Sequence, residues 1–171
     1  MLCVIAKLNE EARERLLSVQ EPVVSFGLSK RPLYGHITLA TFVEGDEAAL
    51  IESVKANLYG EKAFSVQYEG IAELDETFIV VALLRKTQGL LNLQRKVTEG
   101  RDCLLDRWTH SAIWQPHTTL VHQPGMILCE VADAMQARFV PFEARINRVE
   151  FSRVTENGYE IVDGIDLTPI E

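Results

Sequence analysis

Tyr34-Gly35-His36-Ile37-Thr38-Leu39-Ala40 and Gln115-Pro116-His117-Thr118-Thr119-Leu120-Val121 carry one pattern twice: a histidine, one residue, a threonine, then apolar residues. Both stretches have the β-branched, apolar character of a buried strand. On a strand, positions i and i+2 point to the same face, about 6 to 7 Å apart. His36 and Thr38 therefore face one way, and His117 and Thr119 do the same. An imidazole and a hydroxyl at that separation can touch one tetrahedral group of phosphate size, the imidazole moving a proton and the hydroxyl donating to a non-bridging oxygen. Two such pairs facing each other would hold a phosphodiester from both sides.

The histidines are 117 − 36 = 81 residues apart, and that offset tests whether more of the chain repeats. It carries Thr38 to Thr119, Leu39 to Leu120, Leu50 to Val131, Val54 to Met135, Leu58 to Phe139 and, upstream, Leu16 to Val97. Apolar falls on apolar. In chain order, Met1–Leu8 reads as a strand, and Asn9 is placed to cap a helix reaching about Gln20 with Ala12, Leu16, Leu17 and Val19 inside. Glu21–Leu33 is a loop by composition. The first His-x-Thr strand follows, then a helix from Gly45-Asp46 with Leu50, Ile51, Val54 and Leu58 on one face, then a strand over Ala63–Ala72. The series restarts with a strand over Thr77–Leu84, a helix from Gln88 to about Glu99 and a connection through Gln115. After the second His-x-Thr strand come a helix over about Met126–Arg138 and a strand over about Phe142–Val154. Asn157-Gly158 signals a hairpin returning through Tyr159–Leu167. The expected fold class is α+β, a bilobal pseudo-two-fold repeat of antiparallel sheets with outer helices. Residues 1–171 would form a single bilobal domain with halves at about 1–75 and 76–171.

The 171 residues suffice for a real core, and 47% hydrophobic with 25% charged residues describes a globular chain rather than a disordered one. The longest clean apolar run, Phe78–Leu84, is far too short to cross a bilayer, so no membrane association and a soluble cytoplasmic protein are expected. Cys3, Cys103 and Cys129 are odd in number, spread out and without a CxxC pair, which reads as reduced, mostly buried thiols. A net charge of −8 argues against long duplex nucleic acid, whose binding relies on many Lys and Arg contacts. A locally positive cleft for a small anion remains compatible with it. The partner expected is a small nucleotide or an RNA end, and the protein is expected to be a monomer.

His36-Ile37-Thr38-Leu39 and His117-Thr118-Thr119-Leu120 resemble the paired His-x-Thr/Ser-x signatures of the two-histidine (2H) phosphoesterase superfamily, which includes bacterial 2'-5' RNA ligases and phosphodiesterases acting on 2',3'-cyclic phosphates. Size, element order and motif separation resemble that family over nearly the whole chain, and Val149–Tyr159 is similar, more loosely, to its closing hairpin. Gly35 stands where proline is common in the family, as Pro116 does before the second histidine; this alters backbone stiffness and leaves the catalytic roles untouched. The resemblance implies a LigT-like fold with a V-shaped cleft and a phosphodiester reaction without metal or other cofactor. His36 and His117 would be the proton-transfer groups, and Thr38 and Thr119 the phosphate-holding hydroxyls.

Other residues are open to two readings. Tyr34 shares a face with His36 and could bind substrate or pack. Trp108 and Trp114 could stack on a base or sit in the core. Arg153, Lys30, Arg31 and Arg85 are candidates for a local positive field. His122, at odd spacing from His117, should point to the opposite face, and His110 should lie on the surface. Besides an enzyme, a catalytically silent nucleotide- or phosphate-binding module of the same fold and a purely architectural repeat remain open.

Overall fold

A computed structural model of the chain describes residues 1–74, 78–155 and 158–169. Its elements are β1 (Leu2–Leu8), α1 (Glu10–Val19), β2 (His36–Phe42), α2 (Glu47–Leu58), β3 (Phe64–Leu74), β4 (Ile79–Leu84), α3 (Gln88–Thr98), β5 (His117–His122), α4 (Cys129–Gln136), β6 (Phe142–Thr155) and β7 (Gly158–Asp166). A 3-10 turn at Glu21–Phe26 occupies the loop region read from Pro22 and Gly27. Thr77 and Asn157, named above as a strand start and a turn residue, lie outside the described residues.

The seven strands form one antiparallel sheet in the order β2-β1-β6-β3-β4-β5, with β7 paired to β6. The order reads the same from either end under the repeat: β2 corresponds to β5, β1 to β4 and β3 to β6. Each histidine-bearing edge strand therefore belongs to a three-stranded group, β2-β1-β6 or β5-β4-β3, whose third strand comes from the other copy. The groups join where Phe64–Tyr68 of β3 runs against Phe142–Ile146 of β6. The edge of β6 opposite β1 is divided, its first residues facing β3 and Arg148–Thr155 facing β7.

The repeat extends to a defect in the ladder. Val4 pairs with Ala40 and Ile5 with Thr38, leaving Leu39 as an extra residue. Val80 pairs with Val121 and Val81 with Thr119, leaving Leu120 extra. A β-bulge bends its strand and reverses the facing of residues beyond it. Here it lies immediately after each His-x-Thr.

Helices cover the face opposite the histidines. Ile37, Leu39 and Leu120 are fully buried there with Leu16, Val54, Leu58, Leu90, Leu93, Val97 and Met135 in one continuous core. Asp46 caps α2 through the Ala49 N–H, and Thr87 caps α3 through the Leu90 N–H. Asn9 does not cap α1: its Oδ1 accepts from the Arg145 N–H at 2.9 Å, tying the end of β1 to β6 instead. Leu17, expected inside, is half-buried at the rim of the cleft. Helix α4 is shorter than its apolar pattern suggests. Gly125 has φ +78° and the Leu128 N–H is held by Glu73 Oε1 at 3.1 Å, so regular helix starts only at Cys129. Of the thiols only Cys3 is buried, which corrects the expectation for Cys103 and Cys129.

Gly35 is required by its backbone. Its φ of +78° is closed to proline, whose ring holds φ near −65°, and costs an L-residue about 1–2 kcal/mol. A Cβ there would also come within 2.9 Å of Arg13 Cγ. Gly35→Ala should lower the melting temperature by roughly 2 to 8 °C in a calorimetric scan; an unchanged value would remove both arguments.

Candidate functional site

The sheet bends so that its two edge strands meet. Thr118 Oγ1 donates to the His36 carbonyl at 2.9 Å, and Trp114 Nε1 donates to the Thr38 carbonyl at 3.0 Å. Exposed edge carbonyls of β2 thus find partners on the other copy, as an edge strand requires. Thr118 gives its only proton to His36, so Tyr68 OH, 2.6 Å away and wholly buried, must donate to Thr118. A relay from β3 through β5 to β2 sets the spacing of the two motifs.

Above this junction opens a cleft of about 780 Å³, lined by His36, Thr38, His117 and Thr119 together. The alternation that puts them there is visible in burial: Ile37, Leu39, Thr118 and Leu120 point to the core, and the four polar residues are half-buried. Tyr34 also lines the cleft, its hydroxyl donating to Glu150 Oε2 at 2.6 Å. Burial and that carboxylate push the phenol up to about 12, so it stays a hydrogen-bond donor. Glu150 is nearly buried and is paired with Arg148 Nε at 3.0 Å.

The two imidazoles are not equivalent. His117 Nδ1 lies 2.7 Å from the Gln115 carbonyl and must donate to it, which leaves Nε2 as the titrating nitrogen. Burial lowers its pKa and the carbonyl opposes that shift. His36 sits between Tyr34 and Tyr159, the latter edge-on at 5.0 Å and 74°, and its buried Nδ1 has no hydrogen-bond partner among the described residues. Burial first, then the Arg31 and His117 charges, push it down to about 4.

That shift makes a stability prediction. Unfolded histidine takes its proton near pH 6.5 and folded His36 only near 4, so between those values the unfolded state binds more protons and stability falls as pH drops. Chemical denaturation should show this decline below about pH 6.5, with a smaller slope for His36→Gln. Equal slopes for the two proteins would contradict a neutral folded imidazole.

His122 corrects the sequence reading. Parity puts it on the face opposite His117, but the bulge at Leu120 reverses parity, and His122 is exposed on the cleft wall beside Ile79. Arg13, Arg31, Tyr159 and Ile161 also line the cleft. Tyr159 and Ile161 arrive with β7, and only the loosely matching tail sequence hinted at them. Trp114 is buried and structural, while Trp108 is exposed away from the cleft with Arg107 over its ring at 4.2 Å. His110 is exposed and also outside it. Among the described residues no cluster of three or more His, Cys, Asp or Glu could hold a metal ion, and no helix is long and apolar enough to cross a membrane.

This α+β architecture, with a His-x-Thr pair on each of two facing edge strands, defines the two-histidine phosphoesterase class. A family model described as the 2'-5' RNA ligase superfamily matches residues 25–158, and the chain belongs to that superfamily. Among solved structures, E. coli LigT complexed with phosphate is similar with TM-score 0.67 and 15% identity, covering 98% of this chain and 96% of that one. TT0787 of Thermus thermophilus is similar with TM-score 0.71 and 20% identity, covering 99% of each chain. At such identities the likeness shows the fold, which is LigT-like. No curated protein matches the chain in sequence. Superfamily membership supports a phosphoesterase- or ligase-like enzyme.

Proposed function

We propose that the protein hydrolyses a 2',3'-cyclic phosphate, or a 2'-5' phosphodiester, at a nucleotide or RNA end without a metal ion. The observation that carries this is the convergence of His36, Thr38, His117 and Thr119 on one cleft. One imidazole takes a proton from water as the water oxygen bonds to phosphorus. The opposite P–O bond breaks, and the departing ribose oxygen takes a proton from the other imidazole, leaving a phosphomonoester. Thr38 and Thr119 donate to the non-bridging oxygens, where negative charge gathers in the transition state. Joining a hydroxyl to a cyclic phosphate uses the same groups in reverse.

The asymmetry of the site suggests the division of labour. His36, held neutral, suits the base; His117, whose Nδ1–H is anchored on a carbonyl and whose Nε2 can carry a second proton, suits the acid. Further support is that E. coli LigT, of the same fold, has been crystallised with 3'-AMP. A cleft of this volume and a chain of charge −8 fit a small nucleotide or RNA end rather than a long duplex, acted on by a soluble cytoplasmic monomer.

Incubation with a panel of 2',3'-cyclic nucleotides in excess chelator should give phosphomonoester products. Saturable binding without turnover would favour the silent binding module instead, and neither binding nor turnover would leave the repeat a purely architectural role.

A further inference from the structure

The chain has 25 acidic residues against 17 basic ones, yet among the described residues the cleft lining contains no aspartate or glutamate. A described lining that holds Arg13 and Arg31 and no acid, on so acidic a chain, marks the cleft as a surface for anions. Its cations differ in availability. Arg13 is engaged by Glu10, its Nε 2.9 Å from Oε1, with Nη1 donating to the Leu33 carbonyl at 3.3 Å. Of the other cations singled out from the sequence, Lys30 pairs with Glu21, Arg85 with Glu69 and Arg153 with Glu47. Arg31 has no ion pair among the described residues, and it lines the cleft.

The position of Arg31 is built rather than incidental. Its N–H donates to Gln20 Oε1 at 2.9 Å, and Gln20 is wholly buried. Pro32 follows with its fixed φ, and Leu33 is buried, so the backbone carrying the guanidinium is held at both ends. Its charge bears on both His36 and Tyr159. The guanidinium thus belongs to the same cleft as His36 and Tyr159.

We propose that Arg31 forms a subsite for a second anionic group of the substrate, a phosphate one nucleoside away from the phosphodiester held between His36 and His117. An unpaired guanidinium offers a bidentate, charge-assisted grip matched to phosphate oxygens. Tyr34 and Tyr159 line the same cleft and would border the intervening nucleoside. This deepens the reading above and rests on it: the preferred substrate carries at least two phosphates, either a 5'-phosphorylated nucleoside cyclic phosphate or an oligonucleotide ending in one.

The test is a cycle between protein and ligand. Titration calorimetry should find adenosine 3',5'-bisphosphate bound about tenfold or more tightly than adenosine 3'-monophosphate by the intact protein, and about equally by Arg31→Gln. Arg31→Lys should retain part of the preference. Equal affinities in the intact protein, or a preference unchanged in Arg31→Gln, would overturn the subsite. Affinity for the monophosphate falling as far as that for the bisphosphate would also overturn it, because Arg31 would then serve the reacting phosphate or the fold. Binding reads the subsite whether or not turnover occurs, so failure of the hydrolytic reading is separable from failure of this one. Kinetics then distinguish the two sources of the second phosphate. In the intact protein, kcat/KM for a cyclic-phosphate-ended dinucleotide lacking a 5'-phosphate is compared with that for a 5'-phosphorylated cyclic mononucleotide. Whichever is favoured should lose that advantage in Arg31→Gln, the advantage being taken in each protein relative to the unphosphorylated cyclic mononucleotide. An advantage that survives the substitution would count against Arg31.

Discussion

Replacing His36 or His117 by alanine is expected to reduce turnover of a 2',3'-cyclic nucleotide by about 10²- to 10⁴-fold each, the range over which a positioned acid or base accelerates a reaction. The double variant should be scarcely slower than either single one, because the two proton transfers belong to one displacement and losing one partner disables the other. Thr38→Ala and Thr119→Ala remove only a hydrogen bond to a non-bridging oxygen, so about 10²-fold of loss with measurable residual activity is expected. Steady-state kinetics on purified variants, with circular dichroism to confirm folding, decide the matter. Full activity in His117→Ala would end the two-histidine mechanism for this chain.

Thr118→Val should produce the largest stability loss among single polar substitutions near the site. Thr118 is buried, donates to the His36 carbonyl and accepts from Tyr68 OH. Valine fills the same space but leaves a carbonyl and a phenol without partners in the interior, each worth about 1–3 kcal/mol. A total of about 2–6 kcal/mol corresponds to a melting temperature lower by roughly 4 to 24 °C for a chain of this size. Adding Tyr68→Phe should recover part of the loss by removing the stranded hydroxyl. A melting temperature unchanged by Thr118→Val would show that the relay does not hold the edge strands together.

Most elements were legible because their periodicity is strong and local. The strands carrying His36 and His117 have the β-branched, apolar character of buried strands, and the helices Glu47–Leu58 and Gln88–Thr98 bury Leu50, Val54 and Leu58, and Leu90, Leu93 and Val97, at helical spacing. The failures share a cause, which is competition from partners distant in sequence. Asn9 is a good capping residue that instead serves the Arg145 N–H. His122 obeys strand parity until a bulge, visible only in the pairing of β4 with β5, turns it into the cleft. Three of the four cations put forward are neutralised by acids nine or more positions away, and no local pattern separates them from Arg31.

By itself the sequence determined that the chain repeats, that each copy carries an imidazole and a hydroxyl on one strand face, and which residues form the apolar side of that strand. These follow from backbone geometry, which ties spacing to facing over a few residues. Only the tertiary structure decided that the third strand of each copy completes the other copy's group, that the two outermost strands touch, and that the cleft, among the described residues, is lined by no acid and by one arginine without an ion pair. Those outcomes depend on how strands pair across more than a hundred residues, a global balance of hydrogen bonding and burial that local spacing does not encode.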